Sequence, residues 1–342
     1  MADEGKSKKG VPSSRFIIAI VIIIAGLYFW KHYEIRFDQI SGATFHRRNA
    51  AGASENKPQP EETSPTHEVA KPQIDAPKEV PPLTTMTIAT WDLTPLSFEK
   101  LTDEKRAEQI ADVIADYDLI AVQGVARTTQ PLDEIIRRIN AKGKVYAYAI
   151  PKHNGIAPEY VAYIFDTKIV KYDPGKTYDL VEPTLSHRPL VASFCAVQPS
   201  VDKAFTFNLV NVKIPADRSD LETRVLGQIF RQVRDHDQAE DDIIMLGNFG
   251  KPIRLINSLT GVPYLSVVHD GEPTTIDESD STENIVFDNL RTIECIGNAK
   301  IADLIKRFDM KLSEAGAIAG HLPVSAEFSV FEALSQKPNE AQ

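Results

Sequence analysis

Residues 242–250 read DIIMLGNFG, and this stretch says the most about the fold. Four consecutive apolar residues, 243–246, follow an aspartate and end at a glycine. A strand that is apolar at every position is typical of a sheet covered on both faces. The stretch therefore predicts a buried β-strand that ends in a polar, glycine-containing turn.

Similar runs on both sides of this stretch extend the pattern into a large domain. Helical spacing of apolar residues predicts amphipathic helices over 97–115, with Ser97 as a candidate cap, and over 220–236 after Asp220. Further strands are predicted at 86–91, 118–123, 145–150, 159–166, 190–198, 204–213, 284–296 and 322–330. The periodicity predicts a layered α/β domain over 84–334, followed by a short tail at 335–342.

The N-terminal part of the chain predicts a membrane tether. A short basic tail, 1–15, precedes the uncharged segment 16–30, which reads FIIAIVIIIAGLYFW between Arg15 and Lys31. As a helix this segment spans about 22 Å, and its aromatic end and flanking basic residues suit an anchor at a bilayer interface. A cleaved signal peptide and a buried core helix are the alternatives. The basic residues before the segment favour a single-pass protein whose domain lies outside the cytoplasm.

Residues 31–83 are predicted to form a juxtamembrane segment and a disordered linker. Seven prolines occur among charged and small residues between 49 and 83. Such a composition buries too little apolar surface to offset the entropy lost on folding. The linker is therefore expected to act as a spacer between the anchor and the domain.

Charge and cysteine content narrow the possible functions. The chain has a net charge of −10, which divides into +4 over 1–50, −3 over 51–83 and −11 over 84–342. An acidic domain repels a polyphosphate backbone, which disfavours nucleic acid as a partner. Cys195 and Cys295 match no metal-binding spacing, and the sequence leaves open whether they are bridged or free.

Seven strand-end motifs carry a resemblance to a known family. In chain order they are TIATWDL (87–93), DYDLIAVQGV (116–125), HRPLVASF (187–194), FNLVNVK (207–213), DIIMLGNFG (242–250), TTIDESDSTENIVFD (274–288) and GHLPVSAEF (320–328). Their order and spacing resemble the endonuclease/exonuclease/phosphatase superfamily, which includes deoxyribonuclease I. The resemblance implies a four-layer α/β/β/α sandwich with its site at the strand ends between the two sheets. It also implies metal-dependent phosphoester hydrolysis, in which a carboxylate binds Mg²⁺ and an Asp–His pair activates water.

Most positions matched to the family's catalytic residues differ in this chain. Gly124 stands where the family has its metal-binding glutamate, and Lys213 stands for a phosphate-contacting histidine. Gly320 stands for the aspartate expected to orient the catalytic histidine, which would leave His321 unpartnered. The remaining matched positions are Asp92 (Asn in the family), Asn248 (Asp), Gly250 (Asn) and Glu283 (Asp). The resemblance therefore implies a vacated site with His321 as a remnant, no bound metal or cofactor, and Lys213 as a possible anion contact.

Three functions remain open at this stage. The preferred one is a membrane-anchored pseudoenzyme that binds a protein or a small ligand. The second is a Mg²⁺-dependent phosphodiesterase or phosphatase with a rearranged site drawn from Asp92, Glu283, Asp270 or Glu272. The third is a structural component of a membrane assembly.

Overall fold

A computed structural model describes residues 33–38, 42–47, 84–152, 159–236 and 240–333. The predicted anchor at 16–30, the proline-rich part of the linker and the tail at 335–342 lie outside the described residues. Among the residues that are described, no helix combines the length and the apolar character needed to cross a bilayer.

The chain divides into two compact units, Met1–Ala76 and Pro77–Gln342. In the first unit, strand β1 (Tyr33–Asp38) pairs antiparallel with β2 (Gly42–Arg47). The sequence predicts a juxtamembrane segment here, and this hairpin is not among the predicted elements.

The second unit contains two six-stranded mixed sheets. Sheet A has the order β13-β14-β3-β4-β6-β5, and sheet B has the order β11-β12-β10-β9-β8-β7. The strands of sheet A are β3 (Thr85–Leu96), β4 (Leu119–Ala126), β5 (Tyr146–Ala149), β6 (Glu159–Asp166), β13 (Cys295–Ile301) and β14 (Val324–Ser329). Those of sheet B are β7 (Val170–Asp179), β8 (Leu190–Ala196), β9 (Thr206–Lys213), β10 (Ile243–Asn248), β11 (Leu265–Val267) and β12 (Glu283–Asp288).

Helices cover the outer face of each sheet. One buried cluster joins sheet A to α1 (Glu104–Ile114), α2 (Gln130–Ala141), α6 (Leu304–Phe308) and α7 (Leu312–Ile318). Another joins sheet B to α4 (Leu226–His236) and α5 (Asn257–Thr260), and the short helix α3 (Ser219–Glu222) precedes α4. A third cluster lies between the sheets and includes the stacked rings of Phe205, Phe207 and Phe328. These layers confirm the predicted α/β/β/α sandwich.

Several elements differ from the sequence-based predictions. The run predicted as one strand over 284–296 is divided between β12 and β13, because Asp288 accepts turn hydrogen bonds from the backbone of Leu290 and Thr292. The helix predicted from residue 97 begins at Glu104, where the Asp103 side chain accepts from the Arg106 N–H. Both cysteines are free.

The strand directions bring four sequence-predicted positions to one edge. Strands β3 and β4 are parallel, and so are β9 and β10, so each pair ends on the same side. Asp92 and Gly124 lie toward the ends of β3 and β4, while Lys213 and Asn248 are the last residues of β9 and β10. Residues far apart in the sequence therefore meet at the C-terminal edges of the two sheets.

Candidate active site

Asp92 joins the two sheets at this edge. Its Oδ2 accepts a hydrogen bond of 2.9 Å from Nδ2 of Asn248, and its Oδ1 accepts one of 2.9 Å from the backbone N–H of Thr94. Both side chains are buried, with residue exposures of 2% for Asp92 and 7% for Asn248. Asp92 and Asn248 therefore lie in one cleft between the two sheets.

The ammonium group of Lys213 lies in the same cleft among acidic groups. It forms an ion pair with Glu159, donates to Oγ1 of Thr94, and lies 3.7 Å from Oδ1 of Asp92. Lys213 is 8% exposed, so these contacts replace most of its hydration. Two carboxylates therefore already neutralise this ammonium and oppose the anion contact predicted from the sequence.

The charge of Asp92 is maintained by its neighbours. Burial works to raise the pKa of this carboxyl, but the charges of Lys213 and His321 and the hydrogen bonds from Thr94 outweigh it and lower the pKa. Asp92 is therefore a carboxylate at neutral pH, and it already has cationic and hydrogen-bonding partners.

His321 has an acidic partner, Glu283, whereas the sequence predicts that it has none. Oε1 of Glu283 lies 2.7 Å from Nδ1 of His321, and Oε2 of Glu283 accepts from Thr282 at 3.0 Å. Gly320 was predicted to leave His321 unpartnered, but the partner comes from β12 and not from the adjacent residue. An acid–histidine pair is therefore present.

The position of His321 is fixed from two sides. The Trp91 indole N–H donates to the His321 carbonyl at 2.9 Å, and Thr275 forms an isolated β-bridge with His321. Burial works against protonation of the imidazole, but the carboxylates of Glu283 and Asp92 outweigh it and raise the pKa of His321. Protonation of the imidazole is therefore more favourable than in a free histidine, because a buried acid lies beside it.

A bulge occupies the position from which the family's metal-binding glutamate would project. Asp92 pairs with Gln123 and Leu96 pairs with Val125, so residues 93–95 lie opposite the single residue Gly124. Gly124 has φ +76°, and a Cβ added there would lie 2.6 Å from Cα of Thr94. Because backbone atoms fill this space, no side chain fits at position 124 without a change in the backbone.

The other two glycines of the site differ from one another. Gly250 has φ +69°, and a Cβ there would lie 2.8 Å from the Ile214 carbonyl oxygen, while its N–H donates to Oδ1 of Asn248 at 2.8 Å. Gly320 is exposed and has open space around its Cβ position. An aspartate would fit at 320, whereas the family's asparagine would not fit at 250 in this backbone.

These residues do not fit the family's metal site. Gly124 supplies no carboxylate, and the Lys213 ammonium repels a cation beside Asp92. A different trio, Asp92, Glu283 and His321, has ligand atoms within 4.8 Å of one another. Asp270 and Glu272, the other predicted candidates, line a separate groove with His269 and Lys300. Of the acidic residues considered for a rearranged metal site, only Asp92 and Glu283 lie together in the cleft, next to His321.

Two site residues were absent from the sequence-based predictions. Glu159 begins β6, which runs antiparallel to β4, so its side chain lies at the edge where β4 ends. Glu159 could therefore have been predicted from the sequence, because it is an acidic residue at the start of a predicted strand. Thr94 gave no signal, because its place in the cleft depends on the bulge.

The chain is similar in sequence to a deoxyribonuclease-like protein over most of its length. The mouse protein "Deoxyribonuclease-1-like 2" is 22% identical over 262 residues, which cover 72% of this chain and 92% of that protein. No family model matches the chain.

Solved structures share the fold at low sequence identity. An endonuclease/exonuclease/phosphatase from Bacteroides vulgatus has a TM-score of 0.53 and 11% identity over 74% of this chain and all of that one. An endonuclease/exonuclease/phosphatase family protein from Bacteroides thetaiotaomicron has a TM-score of 0.50 and 10% identity, over 75% of this chain and 99% of that chain. A humanized TDP2 from D. rerio has a TM-score of 0.51 and 12% identity, over 73% of this chain and 99% of that chain. The chain therefore shares the fold of these endonuclease/exonuclease/phosphatase proteins.

Proposed function

We propose that this chain is a membrane-tethered, non-hydrolytic member of the superfamily whose domain serves as a binding or interaction module. The observation that carries the proposal is the Lys213 ammonium, paired with Glu159 and lying 3.7 Å from Asp92. A fixed positive charge in the cleft already balances carboxylates that would otherwise attract a divalent ion.

The backbone supports the same conclusion independently of charge. Hydrolysis in this family depends on a carboxylate that holds Mg²⁺ against the phosphoryl oxygens. Thr94 occupies the space beyond Gly124, so that carboxylate is missing and its space is filled. The site therefore differs from the family's in its backbone, through the bulge at 93–95, as well as in the missing side chain at position 124.

The surviving acid–histidine pair does not replace the missing parts. Glu283 and His321 can orient a water molecule or exchange a proton. Stabilisation of the charge that develops on a phosphoryl group is usually the larger contribution to rate. Lys213 is already paired with Glu159 and lies close to Asp92, and His321 is paired with Glu283, so the cleft disfavours phosphate anions.

A hydrolysis assay on the full-length chain in detergent tests this proposal. The chromogenic diester bis(4-nitrophenyl) phosphate is incubated with Mg²⁺ or Mn²⁺, and His321→Ala is compared with His236→Ala, which changes an exposed histidine on α4. We expect the wild type and both variants to match the protein-free background. Turnover that is lost in His321→Ala and kept in His236→Ala would overturn the proposal.

The second candidate is a metal-dependent phosphodiesterase or phosphatase, and the proximity of Asp92, Glu283 and His321 favours it. Calorimetric titration with MnCl₂ separates it from the first. Micromolar binding that Asp92→Asn removes supports the hydrolase, whereas no heat from this cleft supports the binding module.

The tether is a separate part of the proposal, supported by the uncharged segment 16–30. We expect the full-length chain to stay with membranes through an alkaline carbonate wash and a chain without residues 16–30 to be released. Protease added to intact cells or spheroplasts should degrade the domain, since we propose that it lies outside the cytoplasm. Release of the full-length chain by carbonate would refute the tether.

A further inference from the structure

A second acidic cluster lies at the end of the sandwich opposite the cleft. Asp242 immediately precedes β10, whereas Asn248 of the cleft is the last residue of that strand. Six residues of extended strand separate them by about 20 Å. Asp242 is joined there by Glu294, which precedes β13, and by Glu332, which follows the bridge between Ala204 and Phe331.

The cluster is held by backbone hydrogen bonds that leave other carboxylate oxygens free. Oε1 of Glu294 accepts from the Ala333 N–H at 2.7 Å, and Oε2 of Glu332 accepts from the Thr206 N–H at 3.0 Å. Glu294 Oε2 and Asp242 Oδ1 are buried and accept no hydrogen bond from the described residues. Glu294 is thus oriented through one carboxylate oxygen, while its other oxygen has no hydrogen-bond partner among the described residues.

These orphaned oxygens belong to deeply buried side chains. Asp242 and Glu294 are each 2% exposed, and an unpaired buried carboxylate oxygen is costly. Burial, followed by repulsion from Glu294, raises the pKa of Asp242 well above its usual range, and the other charges that shift it belong to Glu240 and Glu332. A hydrogen bond with the Thr292 side chain offsets part of this effect, and the cluster keeps an excess of acidic oxygens.

We infer that Asp242, Glu294 and Glu332 form a binding site for a divalent cation of the calcium type. Their ligand oxygens lie within 4.8 Å of one another. Hard carboxylate oxygens in an irregular arrangement suit Ca²⁺, which accepts variable geometry and completes its shell with water, better than Mg²⁺. Glu332 is exposed, so the ion can reach the two buried carboxylates through its side of the cluster.

The site would connect the two sheets. Asp242 leads into a strand of sheet B, whereas Glu294 leads into a strand of sheet A and Glu332 follows β14 of the same sheet. A bound cation would therefore link the sheets at the end opposite the cleft and fix the segment after β14. This inference does not depend on whether the cleft is catalytic.

Calorimetric titration of the EDTA-treated full-length chain with CaCl₂ tests the inference. We expect one Ca²⁺ per chain with a Kd below about 1 mM. Saturating Ca²⁺ should raise the thermal midpoint by about 5 °C or more. The double variant Asp242→Asn/Glu294→Gln, which keeps the side-chain shapes, should lose both the heat and the shift.

Asp92→Asn is the matched control, because it removes a carboxylate from the distant cleft. The heat should persist in Asp92→Asn; heat that disappears there would assign the ion to the cleft and overturn the inference. The alternative is a proton shared between Asp242 and Glu294. In that case the wild type gives no calcium heat and the folded double variant, checked by circular dichroism, is at least as stable with or without CaCl₂, which also overturns the inference.

Discussion

Replacing Lys213 with methionine removes the ammonium while keeping most of the side-chain volume. At 3.7 Å from Asp92, and with an effective dielectric constant of about 20, the lost attraction is about 4 kcal/mol. The direct ion pair with Glu159 adds to this loss, although solvent reaches 19% of the Glu159 side chain and screens part of the interaction. The loss is partly offset because methionine needs no desolvation, so we expect the free energy of unfolding to fall by about 2–4 kcal/mol. For a domain of this size the thermal midpoint then falls by about 4–16 °C.

Urea unfolding at two pH values provides the assay, with the fluorescence of the buried Trp91 as a probe. The folded pKa of Asp92 is lowered, so its contribution to stability is present above the unfolded pKa of about 3.8 and is lost as pH falls through the folded pKa. Lys213 is a main cause of that lowering. The difference between wild type and variant should therefore be large at pH 7 and should shrink at pH 3.

Lys251→Met is the matched control for this experiment. Nζ of Lys251 lies 2.7 Å from Asp220, whose side chain is 96% exposed, and such surface pairs contribute about 0–1 kcal/mol. If Lys213→Met destabilised the domain no more than Lys251→Met at pH 7, the ammonium would not be compensating buried carboxylates. The electrostatic argument for a non-catalytic cleft would then be wrong.

Three further outcomes follow from the same geometry. Gly124→Glu should lower the free energy of unfolding by about 2–5 kcal/mol, because the new side chain requires a positive φ and overlaps the backbone, and it should not create hydrolysis. Gly320→Asp is the control at an open position, and it should change the free energy of unfolding, measured with urea, by no more than about 0.5 kcal/mol. Glu283→Gln should lower the raised pKa of His321 in an NMR titration. In the wild type, the Glu283–His321 pair stabilises the fold below the unfolded histidine pKa of about 6.5, and this stabilisation is lost as pH rises through the folded pKa. The variant should have less of this stabilisation. An unchanged His321 titration would contradict the pairing. Trp91→Phe should cost about 1–3 kcal/mol by leaving the His321 carbonyl without its indole donor, and an unaltered urea midpoint would contradict that role.

The layered fold was predictable because its signals are local. The apolar run of β10 and the helical spacing in α1 and α4 follow from residues next to one another in the sequence. Strand β7 was missed because it contains Pro174 and Gly175 and is largely exposed, so it lacks both an apolar run and clean alternation.

The composition of the site was only partly predictable. Asp92 and Asn248 were identified through the resemblance of their strand-end motifs to those of the family. The pairing of Glu283 with His321 was missed because it depends on how β12 of sheet B faces the start of β14 in sheet A. The contacts of Lys213 were missed for a related reason, since they depend on a bulge that changes the register of two strands. Local sequence identifies the residues at a strand end, but the register decides which of them touch.

The bulge also determines how this cleft can change by mutation. Residues 93–95 lie where the partner strand has one residue, so the difference from a regular ladder is two residues of chain length. A single codon change alters a side chain but cannot shorten the strand. An in-frame deletion of two codons would be needed before position 124 had room for an acid. In genetic terms, regaining a metal-binding glutamate here requires at least two separate events, and the first brings no catalytic benefit by itself.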